Sequence, residues 1–246
     1  MRSPSAFSVL FGALVSAQLL YPTVPARRQP EATRALVALM LLTSAAETAR
    51  ARGRPRAVAL LASAGAIGFG AERVGTATGR PFGPYSYSGG LGRRVGGVPL
   101  AAAAAWAMMA RPAWVVGGLL SSSRRTRVLT SATALCAWDV FLDPRMVRDG
   151  YWRWQRPGRY EDVPATNYLG WTLTGLVLFT AWSALEHDRP GPADDGALAT
   201  YLWTFAGETV ANIAVWRRPR VALAGGLAMG LHALPAVARR WRARRS

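Results

Sequence analysis

Apolar residues run along this chain in long blocks broken by short polar stretches, with neither the alternation of a half-buried strand nor the single stripe of a soluble amphipathic helix. A helix needs about 20 mostly apolar residues to cross a bilayer, and roughly 17 to 25 suffice once tilt is allowed. Eight blocks approach that length, at 7–24, 32–49, 57–71, 98–120, 128–142, 168–185, 198–216 and 221–237. The third and fifth are short, and the last contains His232 and Pro235, so the pattern predicts seven or eight spans. The expected fold is therefore all-α, a polytopic transmembrane helical bundle forming a single integral membrane domain over residues 1–246. The first block lacks a small-residue cleavage site and is followed by further spans, so it is read as the first helix and not as a removable signal.

Two connectors depart from simple loops. Residues 72–97 and 143–167 are dense in glycine, proline, tyrosine and tryptophan, which stop helices and favour the water–lipid boundary. They are expected to be interfacial or re-entrant segments that cap a cavity. Residues 239–246 form a basic tail.

Composition then changes the meaning of the charge. The formal net charge is +17, and every basic residue is arginine. These arginines cluster between the apolar blocks, where cations meet anionic headgroups, and none builds a soluble basic module. A nucleic-acid partner is excluded on that ground, and membrane lipids are the expected surroundings. The absence of lysine and the abundance of alanine fit a GC-rich bacterial coding bias, hence a bacterial cell membrane. Arginine asymmetry does not orient the bundle: the 186–196 loop is acidic and favours the outside, whereas the basic tail favours the cytoplasm. Cys136 is the single cysteine, so neither an intrachain disulfide nor a multi-cysteine metal site is available.

Ionisable groups at membrane depth cost about 2.5 to 3.5 kcal/mol each on insertion scales, so each needs a reason. Glu72 closes the third block, Asp139 and Asp143 lie one helical turn apart in the fifth, and Glu208 with Asn212 shares a face of the seventh. The functional reading is a buried cavity in which a carboxyl serves as general acid. The structural alternatives are an ion pair of Glu72 with Arg73 or Arg80, helix termination at Asp143-Pro144, and an interhelical hydrogen bond for Glu208 and Asn212. The Asp139-x-x-x-Asp143 spacing has no acidic counterpart elsewhere, which weighs against Mg²⁺ and a pyrophosphate substrate. His187 and His232 are read as interface and packing residues, and the tryptophans at 152, 154, 171, 203 and 216 as belt anchors.

The two connectors also carry a resemblance. Residues 72–87, Leu91-Gly92, Gly97-Val98-Pro99-Leu100, Trp106 and Met108-Met109 form one block. Trp138-Asp139, Leu142-Asp143-Pro144, Gly150-Tyr151-Trp152, Trp154, Gly158, Tyr160, Val163-Pro164, Asn167 and Gly170-Trp171 form the other. Together they resemble the membrane carotenoid-biosynthesis family that includes carotenoid 1′,2′-hydratases and bisanhydrobacterioruberin hydratase. The resemblance implies hydration of the terminal double bond of an acyclic carotenoid through a protonated tertiary cation, without metal or organic cofactor. It implies Asp139 or Glu72 as proton donor, Asp143 and Asn167 as groups that hold or deprotonate water, and Tyr85, Tyr87, Trp106, Trp138 and Trp171 as pocket walls. The expected partners are a lipophilic carotenoid and other enzymes of its pathway. The competing readings are an end-group cyclase, a prenyltransferase, and a non-catalytic lipid- or pigment-binding protein.

Overall fold

A computed structural model describes residues 4–245. Among them are eight α-helices: α1 (Ala6–Leu20), α2 (Gln29–Arg52), α3 (Arg54–Thr78), α4 (Leu100–Leu120), α5 (Arg124–Arg148), α6 (Ala165–Leu185), α7 (Asp195–Ala214) and α8 (Pro219–Arg242). The expected all-α bundle is what the chain forms. Five helices, α1, α3, α4, α6 and α8, are long and apolar enough to cross a membrane. The other three, α2, α5 and α7, have comparable lengths of 24, 25 and 20 residues and carry Glu47, Asp139, Asp143 and Glu208 within them.

Helix ends follow local chemistry. Ser5 caps α1, and Ser123 with Thr126 forms a capping box on α5. At Gly53, φ is 79°, which lets α2 turn into α3 through one residue. The two segments that look short as apolar blocks are among the longest helices, 25 residues each. Glu72 does not close α3, which continues for more than a turn to Thr78. Nor does Pro144 end α5, which runs on to Arg148 with the proline inside it. Both extensions are amphiphilic turns that a hydropathy window discards and tertiary packing retains. In the other direction α1 stops at Leu20, and Val98-Pro99 belongs to a strand, so α4 begins at Leu100.

Successive helices alternate in direction, so the bundle has two ends. At one end Tyr21 meets Thr33, Glu72 meets Trp106, Asp143 meets Asn167, and Arg218 reaches the Pro144 carbonyl. At the other Arg50 lies over Phe7, Arg127 reaches the Asp188 carbonyl, and Arg239 reaches those of Leu119 and Leu120. Helix α4 is the central element: Trp106 through Gly117 is buried without a break, and α2, α3, α5, α7 and α8 pack around it. The acidic 186–196 loop and the basic C-terminal residues share one end, and Arg240 and Arg244 pair with Asp195. The opposed orientation signals cancel in these ion pairs.

At the first end the connectors fold over the bundle. Strand β1 (Tyr85–Tyr87) begins the first connector, and β2 (Arg94–Val95) and β3 (Val98–Pro99) close it as a hairpin. Strand β4 (Trp152–Trp154) lies in the second connector and pairs antiparallel with β1, matching Tyr85 with Trp154 and Tyr87 with Trp152. Two sequence blocks some 65 residues apart thus become one lid.

Candidate functional site

Beneath the paired connectors lies a cavity bounded by the adjoining ends of α2, α3, α4, α5 and α6. Its water-accessible volume is about 60 Å³, room for several waters beside the polar groups. Glu72, Tyr85, Tyr87, Trp106, Asp143, Asn167 and Trp171 line it, joined by Phe82, Trp152, Trp154, Leu142, Met108 and Met146.

Glu72 is 6% exposed and has no arginine partner; the ion pair with Arg73 or Arg80, the structural alternative for this residue, does not form. Arg73 turns instead to the Gly96 carbonyl. Three neutral donors hold the carboxyl. Tyr85 and Tyr87 donate to Oε2, the latter at 2.7 Å, and the Trp106 indole donates to Oε1 at 3.2 Å. Strand geometry makes this possible, because residues i and i+2 point to one face, so β1 delivers both phenols together. Burial, then the Glu72 charge, pushes both phenols above their ordinary value, which keeps them as donors. Two glycines of α3 make room. A Cβ at Gly68 would lie 2.2 Å from the Trp106 ring, and one at Gly75 would lie 2.7 Å from Phe82.

Across the cavity, the Asn167 side-chain amide donates to Asp143 and, at 2.8 Å, to Asp139 Oδ2. One helical turn separates the two aspartates on α5, and α6 supplies the bridging amide. Asp143 faces the cavity, whereas Asp139, fully buried, lies behind it with Oδ1 lacking a hydrogen-bond partner. The aromatic wall is layered too. Trp106 stacks on Trp171 with centroids 4.0 Å apart, and Trp138 meets Trp171 edge-on at 6.0 Å, outside the cavity lining. Trp154 and Trp171, expected as belt anchors, are instead buried at 5% exposure. Among the described residues, no group of three or more His, Cys, Asp or Glu is arranged to hold a metal ion.

The other candidates lie elsewhere. The Asn212 amide bonds the Glu208 carbonyl of its own helix at 2.9 Å, so the pair is intrahelical and not a bridge between helices. His232 bonds Thr133 and the Ala228 carbonyl.

A charged cluster at the opposite end escaped the sequence reading. Arg111, fully buried on α4, contacts Glu47 at 3.3 Å, Glu186 at 2.7 Å, and Asp194. Arg52 joins Glu186 at 3.1 Å and Asp194 at 2.9 Å. Its signal was present: Glu47 and Arg111 fall within the apolar blocks 32–49 and 98–120.

The sequence model of the family described as "Carotenoid biosynthesis protein" matches residues 8–232, nearly the whole chain. The chain belongs to the carotenoid biosynthesis protein family. A relative of this carotenoid biosynthesis protein is the bisanhydrobacterioruberin hydratase of Haloarcula japonica, 33% identical over 114 residues. That match covers 44% of this chain and 39% of the relative, so well under half of the relative's length is spanned. No solved structure matches the carotenoid biosynthesis protein described here.

Proposed function

We propose that this protein is a multi-pass enzyme of the bacterial cell membrane that adds water to the terminal double bond of an acyclic carotenoid end group. The observation that carries the reading is the opposition, across one aromatic cavity, of an acceptor-only carboxyl and a carboxyl pair. Glu72 receives three donors and offers none, the environment of a carboxylate. Asp143 and Asp139 share a single amide, and two such close carboxyls repel if both are charged.

In this scheme the aspartate pair carries one proton between its members, and Asp143, the one facing the cavity, delivers it to the less substituted alkene carbon. The tertiary cation forms among Trp106, Trp171 and Trp152, whose π faces and the nearby Glu72 charge stabilise it. Water attacks the cation, and Glu72 takes the proton that water releases. Asp139 and Asn167 orient Asp143, and Trp138 supports Trp171. This exchanges two roles drawn from the resemblance: the donor is Asp143, and Glu72 is the base. Substrate reaches the cavity from the lipid phase, which explains an enzyme built of apolar helices.

Expression in a lycopene-producing bacterial host, with mass analysis of extracted pigments, tests the reading. A more polar pigment heavier by one water is the expected product. An isomer of lycopene would replace the hydratase reading with a cyclase, and unchanged lycopene beside well-expressed protein would reject both for this substrate.

A further inference from the structure

Hydration consumes a water at each turnover, yet lipid-facing helices surround the cavity and its lining away from the carboxyls is apolar, with Val37, Leu91, Ala105 and Met108. One wall residue breaks that pattern. Thr33 of α2 lines the cavity at 6% exposure, and its hydroxyl bonds the Tyr21 phenol at 2.7 Å and the Tyr151 phenol at 2.8 Å. Helical threonines elsewhere in this bundle, such as Thr43, Thr48, Thr200 and Thr204, donate to the carbonyl four residues back. Thr33 is bonded sideways instead, to one phenol at the end of α1 and one in the second connector. Both phenols are buried, at 6% and 3% exposure.

An open depression is lined by Thr23, Val24, Pro25, Arg28, Glu31 and Ala32, chain neighbours of Tyr21 and Thr33, so that the adjacent α2 residues Ala32 and Thr33 line the depression and the cavity respectively. The triad thus gathers three hydroxyls where the start of α2 borders both the cavity and a hollow that carries Arg28 and Glu31. Every hydroxyl can both donate and accept, so a water molecule that enters between them as they part keeps each polar group paired.

We infer that Tyr21, Thr33 and Tyr151 form the gate through which water reaches the cation, an inference resting on the hydratase reading above. They are positioning residues: they govern the capture step and leave protonation alone. A cation that water does not reach in time loses a proton and returns to alkene. In D₂O that returned alkene carries deuterium on carbon, whereas capture gives the tertiary alcohol. The ratio of carbon-deuterated lycopene to alcohol therefore reports water supply separately from acid strength.

The experiment incubates the full-length protein in detergent micelles with lycopene in D₂O and measures both species by mass spectrometry. Thr33→Val, which keeps the side-chain shape but removes both hydrogen bonds of the hydroxyl, should raise the ratio about tenfold through the capture step. Thr33→Ser should restore it. Tyr151→Phe keeps the ring packed on Gly90 and should raise the ratio as well, which covers the case in which Thr33→Val fails to fold. An unchanged ratio in a folded Thr33→Val or Tyr151→Phe protein, even with slower turnover, overturns the gate. Wild-type protein that yields neither alcohol nor deuterated lycopene overturns the hydratase reading itself.

Discussion

Glu72→Gln separates charge from shape at the proposed base. The glutamine has the same outline but must place an oxygen and an NH₂ where two oxygens stood. The Trp106 indole N–H is a donor only, so the amide oxygen has to face it at the former Oε1 position. The NH₂ then occupies the Oε2 position, where Tyr85 and Tyr87 now donate. Those hydroxyls rotate and can accept instead, so all three contacts survive. Bonds to a charged group contribute about 1.5–3 kcal/mol each and neutral ones about 0.5–1.5, so the contacts weaken by roughly 3 kcal/mol together. The burial penalty of a lone carboxylate, several kcal/mol, disappears at the same time and offsets that loss. Net stability should change by no more than about 1 kcal/mol. Activity should fall by about 10²- to 10⁴-fold, the usual contribution of general acid–base catalysis. Glu72→Leu is the contrast, because it leaves three buried donors without an acceptor and should cost roughly 3 kcal/mol or more. The assays are pigment conversion per unit of purified protein and unfolding in mixed micelles. Conversion by Glu72→Gln above a tenth of wild type would refute the assignment of Glu72 as base, and a stability loss as large as that of Glu72→Leu would refute the contact argument.

Three further outcomes follow from other parts of the structure. Gly68→Ala places a Cβ 2.2 Å from the Trp106 ring, so it should cost about 1–3 kcal/mol by overpacking; conversion should fall with it as Trp106 leaves Glu72, and full conversion would deny the indole its role. Arg111→Met leaves Glu47, Glu186 and Asp194 with less counter-charge and should destabilise by about 3–5 kcal/mol. Folded Arg111→Met should still convert pigment at the wild-type rate, because the cluster lies at the end opposite the cavity, and the measurement is denaturant unfolding beside conversion by the soluble fraction. Burial and the Glu72 charge hold the Tyr85 and Tyr87 phenols above 10.0, so the folded state keeps these protons longer than the unfolded chain. Their stabilisation is complete below pH 10.0 and is lost as pH rises through the folded values. The unfolding temperature of Tyr85→Phe/Tyr87→Phe should therefore decline less steeply above pH 10.0 than that of wild type.

Helix number, class and the two unusual connectors were legible from the chain because they depend on local quantities: runs of apolar residues long enough to span and clusters of glycine, proline and aromatics. Glu72, Asp139 and Asp143 were legible too, since a carboxyl within or at the edge of an apolar run stands out from the sequence alone, whereas the aromatic and amide positions came from the family resemblance. The partners of these carboxyls were not legible. Nothing local says that Glu72 meets two phenols from β1 and an indole from α4 and leaves Arg73 to a backbone carbonyl, because the choice depends on how the connector returns across the helix ends. Nor does the i, i+4 spacing of Asp139 and Asp143 reveal which one faces the cavity; rotation of α5 against α6 and the reach of Asn167 decide it. The Arg111 cluster was missed for the same reason. Its charges are scattered over four segments, Glu47 and Arg52 in α2, Arg111 in α4, Glu186 just after α6 and Asp194 just before α7, and become a network only when antiparallel packing brings one end of each together. Hydrophobicity acts residue by residue along the chain and so determined the bundle, whereas hydrogen bonds and ion pairs need two groups within about 3 Å, and only the tertiary structure decides which two.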